Sequence, residues 1–328
     1  MTFRAGPLLV GLFLAATCLG ADDGASSIAA GGLVVMTRET RITMAKEVLQ
    51  ISQAKVVVDY DFRNDSDDDV TTLVAFPIPP YDLAEEERMP SEQGFDDFRL
   101  WVNEAPAPFR VDARAFVKGI DRTRQLQVFH VDVSSFGHAT SNDTIPDIAR
   151  LTPAQHRQLE ALGLIEKGYD GPPWQVHKKY YWKQAFPAHK TIHIRHQYTP
   201  ALGSENSIRY GMAENPDPDS ARELKSFCID DKLHGILKRI AETGDKDAPY
   251  SYVDFILTTA NTWKTPIEDF TLIAERPHES GDLAEYVSFC WDGPVTKVDS
   301  DHFSAHAVDL IPKKELRIGF FDVRKTEP

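Results

Sequence analysis

Positive charge is in short supply: 36 Lys and Arg stand against 50 Asp and Glu in 328 residues, a formal charge of −14. Nucleic-acid recognition is built from surplus Lys and Arg, so that class is excluded. Beyond the first twenty positions no apolar run approaches the roughly 20 residues of a membrane helix, and the mature chain is expected to be soluble and to span no membrane. Catalytic signatures are missing too. There is no Gly-x-Ser-x-Gly elbow, His-Glu-x-x-His helix, Gly-rich phosphate loop or dinucleotide fingerprint, which disfavours the common sequence-readable enzymes. No catalytic residue, cofactor or metal set is therefore assigned. What is present is ordinary for a globular chain with a real core: 42% hydrophobic and 10% aromatic residues, at a length that suits one large or two ordinary domains.

The first twenty residues read as an address. Arg4 gives a positive start, Leu8 to Ala16 is apolar but too short to span a bilayer, and small Gly20 and Ala21 precede Asp22 and Asp23. This pattern predicts a signal peptide over 1–20 and a periplasmic or otherwise extracytoplasmic protein. The alternatives are an uncleaved anchor, or lipidation of Cys18, which the large Thr17 before it opposes. Of the three cysteines, removal of the leader leaves Cys228 and Cys290, and an even count in an oxidising compartment points to a disulfide. The closed loop would span 62 positions, for which chain entropy gives roughly 4 kcal/mol. Two separate buried thiols are the alternative; a zinc site is not, without a Cys-x-x-Cys pair.

Along the chain, β-branched and aromatic runs of strand length dominate. Val56 to Phe62 and Thr71 to Ile78 read as a hairpin around the polar turn Asn64 to Asp69, and Phe98 to Val102 with Phe109 to Phe116 as a further pair. Between Gly119 and Pro173 the rhythm breaks, with Thr152-Pro153 as cap and first residue of one short helix over 154–165. Strands resume at Gln175 to Phe186 and Thr191 to Tyr198. Ile229, Leu233, Ile236, Leu237 and Ile240 then form one face of an amphipathic helix near 230–243, ended by Gly244 and preceded by a strand up to Cys228 rather than an earlier start at Ser220 and Glu223. Strands again fill Ser251 to Ala260 and the remainder. The predicted fold is mainly β, in sandwich-like layers with one helical excursion and one amphipathic helix. The predicted division is a signal over 1–20, a β-sandwich-like domain over 21–215 with its excursion near 119–173, and a C-terminal β-rich domain over 216–328.

Candidate sites are few. Asp65, Asp67 and Asp69 resemble a calcium loop, but Val70 stands where Gly is wanted and Phe76 where a bidentate Glu is needed, so a solvated turn is preferred. His189, His193 and His196 are close in sequence, yet 193 and 196 point to opposite strand faces, and His302 and His306 would stand about 13 Å apart. Asp230, Asp231 and His234 are better placed, at a helix start and one turn on, though an acidic N-cap with a solvated His is the preferred reading. Trp174, Tyr180, Tyr181, Trp182 and Trp263 could offer a stacking surface or simply pack in the core.

Seven strings, Ala29 to Leu33 (AAGGL), Tyr60 to Asn64 (YDFRN), Thr71 to Pro79 (TTLVAFPIP), Tyr181 to Ala188 (YWKQAFPA), His196 to Pro200 (HQYTP), Ile256 to Lys264 (ILTTANTWK) and Ser288 to Gly293 (SFCWDG), resemble a bacterial secreted family. It is the domain of unknown function number four-four-two-four. The resemblance covers nearly the whole mature chain and implies an exported, β-rich protein; it carries no catalytic residues to transfer. Phe76-Pro77 and Arg114 to Gly119 are also similar to the β-sandwich segment of inter-alpha-trypsin-inhibitor-like proteins, while the stretch after Asp121 departs from the family pattern. Two functions follow: a non-catalytic envelope binding or interaction protein, whose partner is an unknown envelope protein or small molecule, or a periplasmic enzyme of unrecognised, hydrolytic type using Asp230, Asp231 and His234.

Overall fold

Alternation of apolar and polar residues builds this molecule. In Val56–Asn64 the residues Val56, Val58, Tyr60 and Phe62 are buried while Asp59 and Asp61 turn outward, and in Thr191–Tyr198 the buried set is Ile192, Ile194, His196 and Tyr198. The computed structural model describes residues 22–29, 33–82, 97–133, 146–165, 173–200, 202–209, 222, 225–242, 247–276 and 283–324. The predicted leader over 1–20 lies outside them, as do Gly244, Ser220 and Glu223.

In chain order the first strands are β1 (Gly24–Ile28), β2 (Val34–Met36), β3 (Ile42–Ile51), β4 (Val56–Asn64), β5 (Val70–Pro77), β6 (Tyr81–Asp82), β7 (Arg99–Val102), β8 (Ala105–Pro106), β9 (Arg110–Val117) and β10 (Ile120–Asp121). There follow α1 (Thr123–Val128), α2 (Pro146–Ala149), α3 (Pro153–Ala161), β11 (Gln175–Phe186), β12 (Thr191–Tyr198) and β13 (Gly203–Arg209). The rest are α4 (Asp231–Glu242), β14 (Asp247–Phe255), a 3-10 turn (Thr258–Thr262), β15 (Ile267–Glu275), β16 (Leu283–Phe289), β17 (Val295–Lys297), β18 (His302–Leu310) and β19 (Leu316–Arg324). One sheet runs β10-β9-β11-β5-β1-β2 with β6 also on β11; a second runs β17-β18-β15-β3-β4-β12-β7-β8; a third runs β13-β14-β19-β16. Among the described residues every pairing is antiparallel except β3 with β15. The second sheet thus draws strands from both sides of residue 215. The chain is mainly β, in sandwich-like layers, as its strand pattern predicts.

The first two sheets face each other across an aromatic core. Phe76 of β5 packs on Phe98, His196 and Tyr198, while Phe62 of β4 packs on Phe186 and Trp263. Trp174, Tyr180, Trp182 and Trp263 are all buried here, so four of the five aromatics with a possible stacking role belong to the core, and Tyr181 is half-buried on the other face of β11.

Both expected strand pairs are overturned. β4 and β5 lie in different sheets, and so do β7 and β9. The turn between β4 and β5 is a corner rather than a hairpin loop, held by Asn64, which is fully buried: its Nδ2 donates to the carbonyls of Asp68 and Phe186, and its Oδ1 accepts from the backbone and hydroxyl of Ser66. Strand alternation says which face is apolar but not which neighbour supplies the hydrogen bonds, and a short polar turn serves either geometry.

Among the described residues the helical excursion holds three short helices rather than one. The predicted Thr152 cap is present with a full capping box to Gln155, and Pro153 opens α3. Lys225 and Ser226 are helical, not the strand expected up to Cys228, and Cys228 itself takes a left-handed φ of 48°. Likewise Thr258–Thr262 is a 3-10 turn where a strand was expected. α4 covers the outer face of the third sheet: Leu233 and Leu237 pack with Phe227, Tyr250, Tyr252 and Phe321, flanked by Ile229 and Ile236. Gly319 makes room for this, since a Cβ there would stand 2.7 Å from the Phe227 ring. The Cys228–Cys290 disulfide ties the start of this layer to the end of β16, with Cα atoms 4.9 Å apart.

Candidate functional site

Asp230, Asp231 and His234 sit together at the start of α4, all exposed. Asp230 Oδ1 accepts the backbone N–H of Leu233 at 2.7 Å, the bond of an N-cap, so its carboxylate is engaged in holding the helix. The other histidines and acids spread over separate partners. His193 Nδ1 lies 3.0 Å from Asp61, His189 pairs with Asp67, His302 with Asp299 and His306 with Asp269. Asp65 is taken by Arg63, Thr43 and Lys264, and Asp69 accepts from the Ala188 backbone, so the acidic turn does not converge on an ion. Among the described residues no group of three or more His, Cys, Asp or Glu is arranged to hold a metal.

Two cavities flank the third sheet. One, of about 410 Å³, lies beside the disulfide and is bordered by Asp230, Arg276, Tyr286 and Lys297. The other, of about 310 Å³, opens where β16, β18 and β19 meet the 3-10 turn. Leu257, Leu310, Ile311 and Leu316 give it an apolar lining, and its charged residues are Lys313 and Lys314 together with Asp292 and with Glu315, whose carboxylate accepts from the Leu257 and Thr258 backbones and the Thr258 hydroxyl. Trp291, in the string SFCWDG, forms one wall and stacks on the buried Phe270 with centroids 5.5 Å apart. Its indole Nε1 is buried and has no hydrogen-bond partner. A buried donor left unpaired costs about 1–3 kcal/mol. Apolar walls with a few convergent polar groups are the usual build of a small-molecule site.

A third feature lies inside the sandwich. Asp22, Asp23, Glu47 and His196 are all fully buried. Glu47 faces inward from β3 directly opposite Tyr60 of β4, because the irregularity between Met44 and Lys46 resets the alternation. Tyr60 donates its hydroxyl to Asp22 Oδ1 at 2.6 Å, and His196 Nε2 stands 3.4 Å from Asp23 Oδ2. The backbone of this segment is tightly held: Asp22 N–H donates to Thr259 Oγ1, Trp263 Nε1–H donates to the Asp23 carbonyl, and Ala25 N–H donates to Thr262 Oγ1. A Cβ at Gly24 would overlap the terminal methyl of Met36 and stand 3.1 Å from Thr262 Oγ1, so a larger residue here requires Met36 to turn aside. Burial pushes the Asp22 carboxyl up to about 8, against the lowering bond from Tyr60. Burial first, then the charge of Asp22, raises Asp23 well above its ordinary range; burial, then the charges of Asp22 and Asp23, does the same for Glu47. Burial alone lowers His196 to about 3, so its ring is neutral. Two ionised carboxylates cannot bond each other, so the contact of Glu47 with Asp22 requires that one keeps its proton.

A family model described as Domain of unknown function (DUF4424) matches residues 21–318. The chain belongs to that family. No curated protein matches this DUF4424 chain in sequence. A Legionella pneumophila protein whose name proposes nutrient binding has a solved structure that superposes with a TM-score of 0.44 and 14% identity, over 92% of this chain and 70% of that one. Yeast LTA4 hydrolase in complex with bestatin superposes at 0.26 and 10% identity, over 85% of this chain and 28% of that one.

Sequence reasoning passed over the buried carboxylates because Asp22 and Asp23 look like the polar residues that follow any leader. Glu47 carried a signal, standing in phase with Leu49 and Ile51 on an otherwise apolar strand face. Trp291 carried only its place in a family string.

Proposed function

We propose that this DUF4424 protein is an exported binding protein, periplasmic or otherwise extracytoplasmic once its leader is removed, whose ligand seats in the cavity walled by Trp291. The observation that carries the reading is the cavity itself, with the Trp291 ring in its wall beside Leu257, Leu310, Ile311 and Leu316, and with Lys313 and Lys314 at it. Those groups suit a small molecule with an apolar body and an anionic acceptor such as a carboxylate. The leader pattern and the disulfide support the location. The role is binding without turnover: at the start of α4, Asp230 is occupied in capping, and no nucleophile and base meet at the cavity among the described residues.

The test is thermal unfolding of the exported protein titrated with octanoate, phenylacetate and inorganic phosphate. The two organic acids should raise the midpoint, phosphate should not, and Trp291→Phe should abolish the shift. Equal response of the variant, or none from either acid with the unmutated protein, overturns the assignment.

A further inference from the structure

Two sheets end at the same cavity. Among the described residues the second sheet ends at β17, and the third ends at β16, which pairs only with β19. The cavity of about 410 Å³ beside the disulfide is lined from both of these edges. Its lining includes five consecutive residues of β16, Glu285 to Phe289. Side chains alternate across a strand, so a cavity that touches every residue of a run meets the strand along its edge and not on one face. In an antiparallel pair only alternate residues exchange hydrogen bonds with the partner, which leaves half of an edge strand's N–H and C=O groups turned away from its neighbour. This backbone is within reach of a donor in the cavity: Arg276, which also lines it, donates from Nη1 to the Glu285 carbonyl at 2.9 Å.

The charge of the lining selects the occupant. In a chain whose acids outnumber its bases 50 to 36, three cations line this cavity, Lys232, Arg276 and Lys297. Its carboxylates are Asp230 and Glu285; Asp230 is engaged in capping α4, and Arg276 is paired with Asp301. Lys232 and Lys297 have no ion pair among the described residues, and the Lys297 ammonium stands 5.9 Å from the centre of the Phe303 ring. Phe303, half-buried, and Val295, exposed, add apolar surface on the β17 side. We propose that this cavity is a docking site for an extended acidic segment of a partner protein, which adds to the edge of β16 as a further strand and brings its carboxylates to Lys232 and Lys297. Strand addition takes its affinity from main-chain hydrogen bonds and its specificity from alternate side chains, and here the acids meet the lysines while the residues between them meet Val295 and Phe303. The lining run of β16 is about 13 Å long at strand rise, room for four or five residues of partner. No lining residue is shared with the Trp291 cavity, so this is a second site with a different kind of ligand.

The probe is a capped hexapeptide of alternating valine and glutamate carrying a neutral fluorophore. Titrated with the purified protein it should give saturable anisotropy, and hydrogen exchange in the complex should slow at the amides of Glu285 to Phe289. Replacing glutamate by lysine should weaken binding at least about tenfold. Methylating the peptide nitrogens at every second residue, in the two possible registers, should cost at least about tenfold in one of them, because one register supplies the N–H groups that pair with β16. Lys232→Glu together with Lys297→Glu should reverse the preference, so that the lysine peptide binds better than the glutamate one. Absence of saturable binding overturns the site, and so do equal affinities of the glutamate and lysine peptides for the unmutated protein. If both methylated peptides bind as well as the parent, strand addition is overturned without any variant having to fold. A dimer of the free protein that protects the same amides would make a second copy the occupant and overturn the proposal as well.

Discussion

Raising the pH towards 8 should destabilise the chain, the reverse of ordinary acid unfolding. Asp22, ordinarily at 3.8, is pushed up to about 8 by burial. Between those values the folded state holds a proton that the unfolded state has released, so stability is full below pH 4 and is lost as pH approaches 8, at about 1.4 kcal/mol per pH unit for each such carboxyl. Asp23 and Glu47, raised by the same burial, act in the same direction. Other groups titrate nearby, and the partly exposed His302, raised above its ordinary 6.5 chiefly by its bond to Asp299, adds a smaller loss in the same direction. His196, lowered to about 3, makes the unfolded state the better proton binder up to the ordinary 6.5, so it opposes the carboxyls below that point. Asp65, held down to about 2 chiefly by Arg63, contributes stability lost only below about pH 4. From pH 6.5 to 8 the buried acids therefore dominate, and Asp22 alone accounts for about 2 kcal/mol, a large share of a typical 5–15 kcal/mol. Urea unfolding at half-unit steps over that window measures it. The slope should be negative, and Glu47→Gln should make it shallower. A flat or rising slope in the unmutated chain would refute the claim that these carboxyls are buried without a cation.

Reduction of Cys228–Cys290, or Cys290→Ser, should lower stability by roughly 4 kcal/mol for its 62-residue separation, read as a shift in urea midpoint with and without reductant. Asn64→Ala removes the corner that passes the chain from one sheet to the other and should cost about 2–3 kcal/mol by the same assay, because it strands buried backbone groups. Asp230→Ala should cost about 1 kcal/mol through the lost cap and leave the organic-acid thermal shift unchanged; loss of that shift would return Asp230 to a binding role.

Local pattern was legible where chemistry is local. The Thr152-Pro153 helix start, the apolar stripe of α4 at Leu233 and Leu237, and the two-residue alternation of β4 and β12 could all be read directly. Partners were not legible: β4 and β5 carry the same alternation whether they pair or part at Asn64, and nothing in the string places β15 beside β3. The helical turn at Lys225 and Ser226 escaped because its residues do not continue the α4 stripe and its start precedes them. Asp22 and Asp23 escaped for a different reason. Their burial is decided by Thr259, Thr262 and Trp263, more than 230 positions away, which turn the segment into the core.

The most direct test of the central claim is native mass spectrometry of the protein exported with its own leader and purified without added ligand. The account predicts a chain beginning at Ala21, lacking two hydrogens for the disulfide and carrying a small anionic organic molecule that Trp291→Phe fails to retain. A bare chain in both proteins, or an adduct held equally by the variant, would contradict it.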